Sequence, residues 1–142
     1  MTKVWKYTLP LLILVPLITY AQETNVHPID KAFEACTEKD PSTAGMVQCT
    51  DMAYKKWDQE LNKNYLSLMR KLKPADKLTL KASQLAWIKY RDAEFKSVDS
   101  VYAMLQGTMY IPMHEARRME IVKERALSLA TYLDLIKEAS EP

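Results

Sequence analysis

The chain has 142 residues, 48% hydrophobic and 27% charged, with two Gly, two Cys and two His. That length predicts one small domain. Two glycines are too few for a phosphate-cradling loop, a dinucleotide-binding turn or a Gly-x-Ser-x-Gly nucleophile elbow, each of which needs glycine at several fixed positions. The formal charge of +2 invites a nucleic-acid or anionic-membrane reading only while the N-terminus is counted.

Residues 1–21 open with Lys3 and Lys6, continue through an apolar run from Leu9 to Ile18, and end on Thr19-Tyr20-Ala21. A short basic start, an apolar middle and small residues at the cleavage positions predict a secretory signal peptide cut after Ala21. The run, broken by Pro10 and Pro16, falls short of the roughly 20 residues a bilayer span needs. No Cys follows it, so no lipoprotein anchor is expected. Cleavage would remove two Lys and no acid, leaving 18 basic and 18 acidic side chains and a formal charge of zero. The expected product is periplasmic or secreted, has no stable membrane anchor, and offers no basic excess to nucleic acid. Residues 22–29 read as a flexible leader and 30–139 as a single helical domain.

Export favours disulfides over free thiols, so Cys36 and Cys49 are expected to pair. Their spacing fits no metal or redox motif. Closing a loop of about 15 residues contributes on the order of 3 kcal/mol in the chain-entropy model.

Apolar positions step by three or four along the rest of the chain, and no stretch alternates like a strand. A short helix is expected from Asp30 to about Glu38, stapled by Cys36 to the helix that carries Cys49. A second helix runs from Thr43 to Leu72, with Ser42 or Thr43 as its N-cap after Pro41 and a stripe of Met46, Cys49, Ala53, Trp57, Leu61, Tyr65, Leu68 and Leu72. A third runs from Ala75 to Leu105 with the stripe Leu78, Ala82, Leu85, Ile88, Phe95, Val98, Tyr102 and Leu105, and Gly107 ends it. The fourth, Met109 to about Ala139, has Met113, Ala116, Met119, Val122, Ala126, Leu129, Leu133 and Ile136. Thirty helical residues extend roughly 45 Å, and short connections make sequential neighbours antiparallel. The expected fold is all-α: an antiparallel bundle of three long helices with a short disulfide-stapled N-terminal helix. Such a rod has a thin core and no deep cleft.

Little in the sequence points to catalysis, and no cofactor or metal is expected. His114-Glu115 lacks a second His one turn on, and no Glu-x-x-His pair exists. With His27 in the leader, only His114 remains as a triad base. Asp58 and Glu60, two apart on a helix, diverge. Met104, Met109, Met113 and Met119 read as core filler or as a Met-rich partner groove. The chain is expected to be a non-enzyme.

Two stretches mix aromatic and polar groups. Trp87, Arg91 and Glu94 share one helix face, where Arg91 is expected to stack on Trp87 and pair with Glu94. Upstream, Trp57, Asp58, Glu60, Leu61, Asn62 and Tyr65 offer a similar mixture. Both read as seams that fix helix register.

The run Cys36, Cys49, then Trp57-Asp58-x-Glu60-Leu61-Asn62-x-x-Tyr65, then Gln84-x-x-Trp87-Ile88-x-Tyr90-Arg91-Asp92-Ala93-Glu94 resembles the lysozyme-inhibitor LprI-like family of secreted bacterial proteins. The resemblance spans roughly Asp30 to Leu133. The chain departs from the pattern at Phe95, where many relatives carry a Cys of a second disulfide. Ser83 and Leu85 stand in place of a common Ala and Arg, and the lipobox of the family's namesake is missing. The resemblance implies a protein partner, lysozyme or another wall hydrolase, blocked by contact, and adds no catalytic residue. An envelope structural, accessory or immunity-like protein with another protein partner is the alternative. The expected probe is the stapled loop Thr37 to Gln48, with Glu38, Lys39, Asp40, Ser42 and Thr43 as candidate contacts and Glu34 nearby. The apolar turn from Gln106 to His114 is a second candidate surface.

Overall fold

A computed structural model describes residues 26–140. The expected signal peptide and its cleavage point lie outside these residues. Four helices follow one another: α1 (Pro28–Lys39), α2 (Thr43–Lys71), α3 (Pro74–Tyr102) and α4 (Tyr110–Glu138). There is no strand among the described residues.

Each boundary has a local cause. His27 caps α1, its Nδ1 accepting the Ile29 amide at 3.2 Å, and Pro28 supplies the fixed φ that suits a first helical turn. The helix thus begins two residues before the expected Asp30. The imidazole is also stacked on Trp57, ring centres 4.4 Å apart. Ser42 caps α2 by accepting the Gly45 amide at 3.0 Å. Pro74 opens α3 directly after α2 ends. The only wide connection between the helices is 103–109, where Gly107 has φ +115°, a left-handed conformation that disfavours any side chain.

The core is made chiefly by two helices. Ala53, Trp57, Leu61 and Leu68 of α2 interlock with Met119, Val122, Ala126 and Leu129 of α4. Burying each of the larger side chains contributes roughly 1.5–3 kcal/mol. Thr50 shares a cavity with Pro112 and Ala116, and farther along the buried Asn64 donates to the Ala126 carbonyl at 3.2 Å. Contacts rise together in both helices, so α2 and α4 run parallel, and α3 runs antiparallel alongside α4. Sequential neighbours are thus antiparallel as expected, but the dominant packing is between the non-sequential pair.

The apolar stripe expected for α3 is corrected in its first half. Leu78 is 71% and Leu85 53% exposed, and only Gln84 and Val98 of this helix are buried. The face turned to the core carries Leu80 and Trp87 there instead, and farther along it Phe95 of the expected stripe packs on the core. Both faces hold apolar residues at helical spacing, and the sequence does not tell which of them a single neighbouring helix covers.

Candidate functional site

The two expected binding surfaces meet at one end of the rod. Because α2 and α4 run parallel, the α1–α2 corner and the α3–α4 turn lie side by side. A cavity of about 250 Å³ joins them, lined by Phe33 and Thr37 of α1, Met46 of α2, and Met109, Pro112 and Met113 at the start of α4.

On the corner side, the Cys36–Cys49 disulfide is formed, with Cα atoms 5.8 Å apart. Between the cysteines the chain is mostly helix: Glu38 and Lys39 belong to the last turn of α1, and Thr43 begins α2. Only residues 40–42 are non-helical, and they are tied down. Asp40 accepts the Ser42 amide at 3.1 Å, and hydrogen bonds from the Ser42 hydroxyl and amide hold its carboxyl below the usual range. The candidate contacts Glu38, Lys39, Asp40 and Ser42 are exposed, and Thr43 is half-buried. The stapled segment is therefore a rigid helix corner, which loses little conformational entropy on binding.

The turn side is apolar and uncharged. From Ala103 to Met113 no residue is charged, and Met104, Leu105, Met109, Ile111 and Met113 are all exposed, Met104 by 74% and Met109 by 61%. Exposed apolar residues are ordinary when scattered, and a contiguous group marks an interaction surface. Flexible thioethers suit such a surface because they repack against different partners.

Beside this patch lies a cavity of about 330 Å³ lined by Asp99, Tyr102, Leu105, Tyr110, Ile111 and His114. A concave site with His, acid and hydroxyl groups raises the question of catalysis. His114 Nε2 is 2.7 Å from Asp99 Oδ1 and its Nδ1 is 3.1 Å from Glu115 Oε1. Each ring nitrogen thus faces a carboxylate and not a hydroxyl or thiol. The edge of His114 against Tyr102, ring centres 5.4 Å apart, completes a clamp that fixes α3 to α4. No group of three His, Cys, Asp or Glu arranged to hold a metal occurs among the described residues.

The aromatic-polar residues lie away from this end, along the helix seams. Trp57 is 1% exposed, and Leu61 is buried beside it. Asn62 folds back on Asp58, Nδ2 at 2.8 Å from its carbonyl; Glu60 pairs with Lys63 at 3.0 Å; and Tyr65 packs half-buried on the core. On α3, Arg91 lies over Trp87, 5.4 Å from the ring centre, as expected. Its ion pair is with Asp92 at 2.7 Å, not with Glu94 as expected. Glu94 faces Arg117 of α4 at 3.9 Å, because the antiparallel partner helix brings a cation where Arg91 would otherwise have reached. Tyr90 is exposed. Gln84 accepts Arg125 Nε at 3.0 Å, and Ser83 accepts its Nη2 at 3.2 Å.

Sequence reasoning missed the α4 cations. Arg117, Arg118, Lys123 and Arg125 supply the far side of these seams, and Lys123 also reaches Asp30 at 3.1 Å and lies 5.6 Å from the centre of Trp57. Their signal was the placement of cations at helical spacing opposite Gln84, Glu94 and Phe95 once α3 and α4 are laid antiparallel.

The model of the lysozyme inhibitor LprI family matches residues 35–129. The chain belongs to the LprI family. A crystal structure of an uncharacterized protein from Burkholderia thailandensis is similar, with a TM-score of 0.73 and 33% identity over 80% of this chain and 57% of that one. The chain thus spans little more than half the length of that protein. No functionally curated protein matches it. Among the described residues of this LprI member, no helix is long and apolar enough to cross a membrane.

Proposed function

We propose that the chain is an exported, non-enzymatic binding protein that blocks a peptidoglycan glycosidase of the lysozyme kind by protein-protein contact. Membership of a lysozyme-inhibitor family supports the class of partner. The observation that carries the choice of surface is the juxtaposition of the rigid α1–α2 corner with the uncharged Met-rich turn around one cavity. An apolar centre with a polar rim is the usual anatomy of a protein interface. Here the centre is Met109 and Met113, and the rim carries Glu34, Glu38 and Asp40 on the corner. Carboxylates at the rim would steer a cationic enzyme and raise its association rate.

In this reading the seam residues Trp57, Gln84, Trp87, Arg91 and Glu94 are structural: they set the angle at which the corner and the turn are presented. The leader read from residues 1–21 would deliver the protein to the compartment where wall hydrolases act.

The test is inhibition of lysozyme-driven cell lysis by the purified protein, with Met109→Asp and Glu38→Lys beside it. Inhibition by the parent chain, weakened at least tenfold by Met109→Asp, supports the proposal. Absence of inhibition at tens of micromolar sinks it. Inhibition untouched by either substitution moves the contact surface elsewhere.

A further inference from the structure

The half of α3 that the bundle leaves uncovered has a composition of its own. From Lys77 to Arg91 the helix contains no Asp or Glu. Its outward face carries Leu78, Lys81, Ala82, Leu85 and Lys89 at i, i+3, i+4, i+7 and i+11, all exposed. Leu80 and Trp87 on the opposite face pack against the core, and the outward leucines stay largely exposed. Arg70, Lys71 and Lys73 extend the positive charge into the α2–α3 turn, where Asp76 is the nearest carboxylate in sequence. Lys73, Lys77 and Lys81 repeat at every fourth position near the N-terminus of α3, where the helix dipole and one another make cations unfavourable. None of the three has a carboxylate partner among the described residues. The arrangement leaves a local excess of positive charge on this end of α3.

We propose that this face of α3 docks in the plane of an anionic lipid surface. Leu78 and Leu85 share one exposed face with Lys81 and Lys89, so the apolar side chains can enter a headgroup boundary while the long cationic side chains reach the phosphates. Charge complementarity selects an anionic surface. A second copy of the chain is a poor occupant, because pairing this stripe with itself sets Lys81 and Lys89 against like charges. A soluble polyanion would satisfy the lysines and leave Leu78 and Leu85 in water. The inference is independent of the partner proposed for the opposite end of the rod.

The test is co-sedimentation of the full chain, as its producing cell delivers it, with phosphatidylcholine vesicles and with vesicles of equal parts phosphatidylcholine and phosphatidylglycerol. Lys81→Glu/Lys89→Glu and Leu78→Ser/Leu85→Ser are compared with the parent. Any leader is common to all three, so differences between them report this face. All four positions are exposed, and unchanged circular-dichroism melts check that the fold is kept. Each lysine near an anionic surface strengthens binding about fivefold. The lysine variant should lose at least about 25-fold of a salt-sensitive affinity for the anionic vesicles, and the leucine variant about tenfold. Three results overturn the proposal: no uptake by anionic vesicles, equal uptake by zwitterionic ones, or loss in the lysine variant with none in the leucine variant. The last would mark a site for soluble polyanions.

Discussion

The guanidinium carbon of Arg118 lies 4.6 Å from the centre of the Phe95 ring, a cation of α4 seated on an aromatic of α3. Arg91 approaches the same ring at 5.8 Å. The Arg118 contact ties α3 to α4 by non-covalent means. The tie is consequential because α3 buries only Gln84 and Val98.

Arg118→Met keeps most of the aliphatic stem and removes the cation. It should lower the unfolding free energy by about 0.5–2 kcal/mol, the range of a partly desolvated cation–π contact, as read by urea denaturation. Combined with Phe95→Leu, the two changes should fall short of additivity by a few tenths of a kcal/mol or more, since each removes the same interaction. Strict additivity would show that the ring and the guanidinium do not cooperate.

Gly45 sits in the first turn of α2, where alanine is intrinsically the better helix former by about 1 kcal/mol. Here the sign should reverse. A Cβ at this position would run into the Asp40 carboxyl carbon and come 2.5 Å from the Asp40 backbone oxygen. Backbone cannot swing aside as a flexible side chain can, so Gly45→Ala should destabilise by about 1–3 kcal/mol. A raised melting temperature for this variant would mean the corner is looser than the geometry describes.

The helices were legible in the sequence to within a few residues because Pro28, Pro41, Pro74 and Gly107 punctuate long runs of helical period, and the disulfide followed from two cysteines and an expected export route. The α2 stripe was readable because Trp57, Leu61 and Leu68 share one apolar face; in α4 the stripe of Val122, Ala126 and Leu129 fell in the right register although Ile111, Leu127 and Leu135 lie exposed on other faces. The inward face of α3 was not readable, since Leu78 and Leu85 compete with Leu80 and Trp87 on equal terms and only the partner's position decides between them. The pairing of Glu94 with Arg117 was hidden because a local i, i+3 cation, Arg91, was available in sequence. Nor could the convergence of the corner with the Met-rich turn be read, as it depends on α2 and α4 running parallel, a relationship between elements that no local pattern encodes.

Removal of the disulfide should separate α1 from the rest. No residue of α1 is buried; it is held by the Cys36–Cys49 bond, the half-buried Ile29 and Phe33, and the Lys123–Asp30 ion pair. Cys36→Ser/Cys49→Ser should cost about 2–4 kcal/mol, taken from the docking of α1 onto α2 and not from the α2–α4 core. Hydrogen exchange should localise the effect, with α1 amides losing protection and those of α2 and α4 around Trp57 and Val122 keeping it. Uniform loss along all four helices would show that α1 is integral to the core.

Asp40 braces the corner and, in the proposed function, also faces the partner; its substitutions separate the two. Its carboxylate accepts from Ser42, and its pKa lies below the ordinary value because those bonds favour the charged form. A depressed folded-state pKa stabilises above the unfolded value and loses that contribution as pH falls through the folded value. Acid should therefore loosen the corner at and below the ordinary carboxylate range and leave it unchanged near neutrality. Asp40→Asn retains an oxygen acceptor for the Ser42 amide and removes the charge, so it should melt slightly below the parent at pH 7, converge with it in acid, and lose part of the acid dependence. Asp40→Lys loses the acceptor as well and should melt lower. If rim carboxylates steer a cationic hydrolase, Asp40→Asn should slow association and weaken its salt dependence while leaving dissociation nearly unchanged. Surface plasmon resonance at two ionic strengths distinguishes this from a purely structural role, in which Asp40→Asn would match the parent in both rates and only Asp40→Lys would differ.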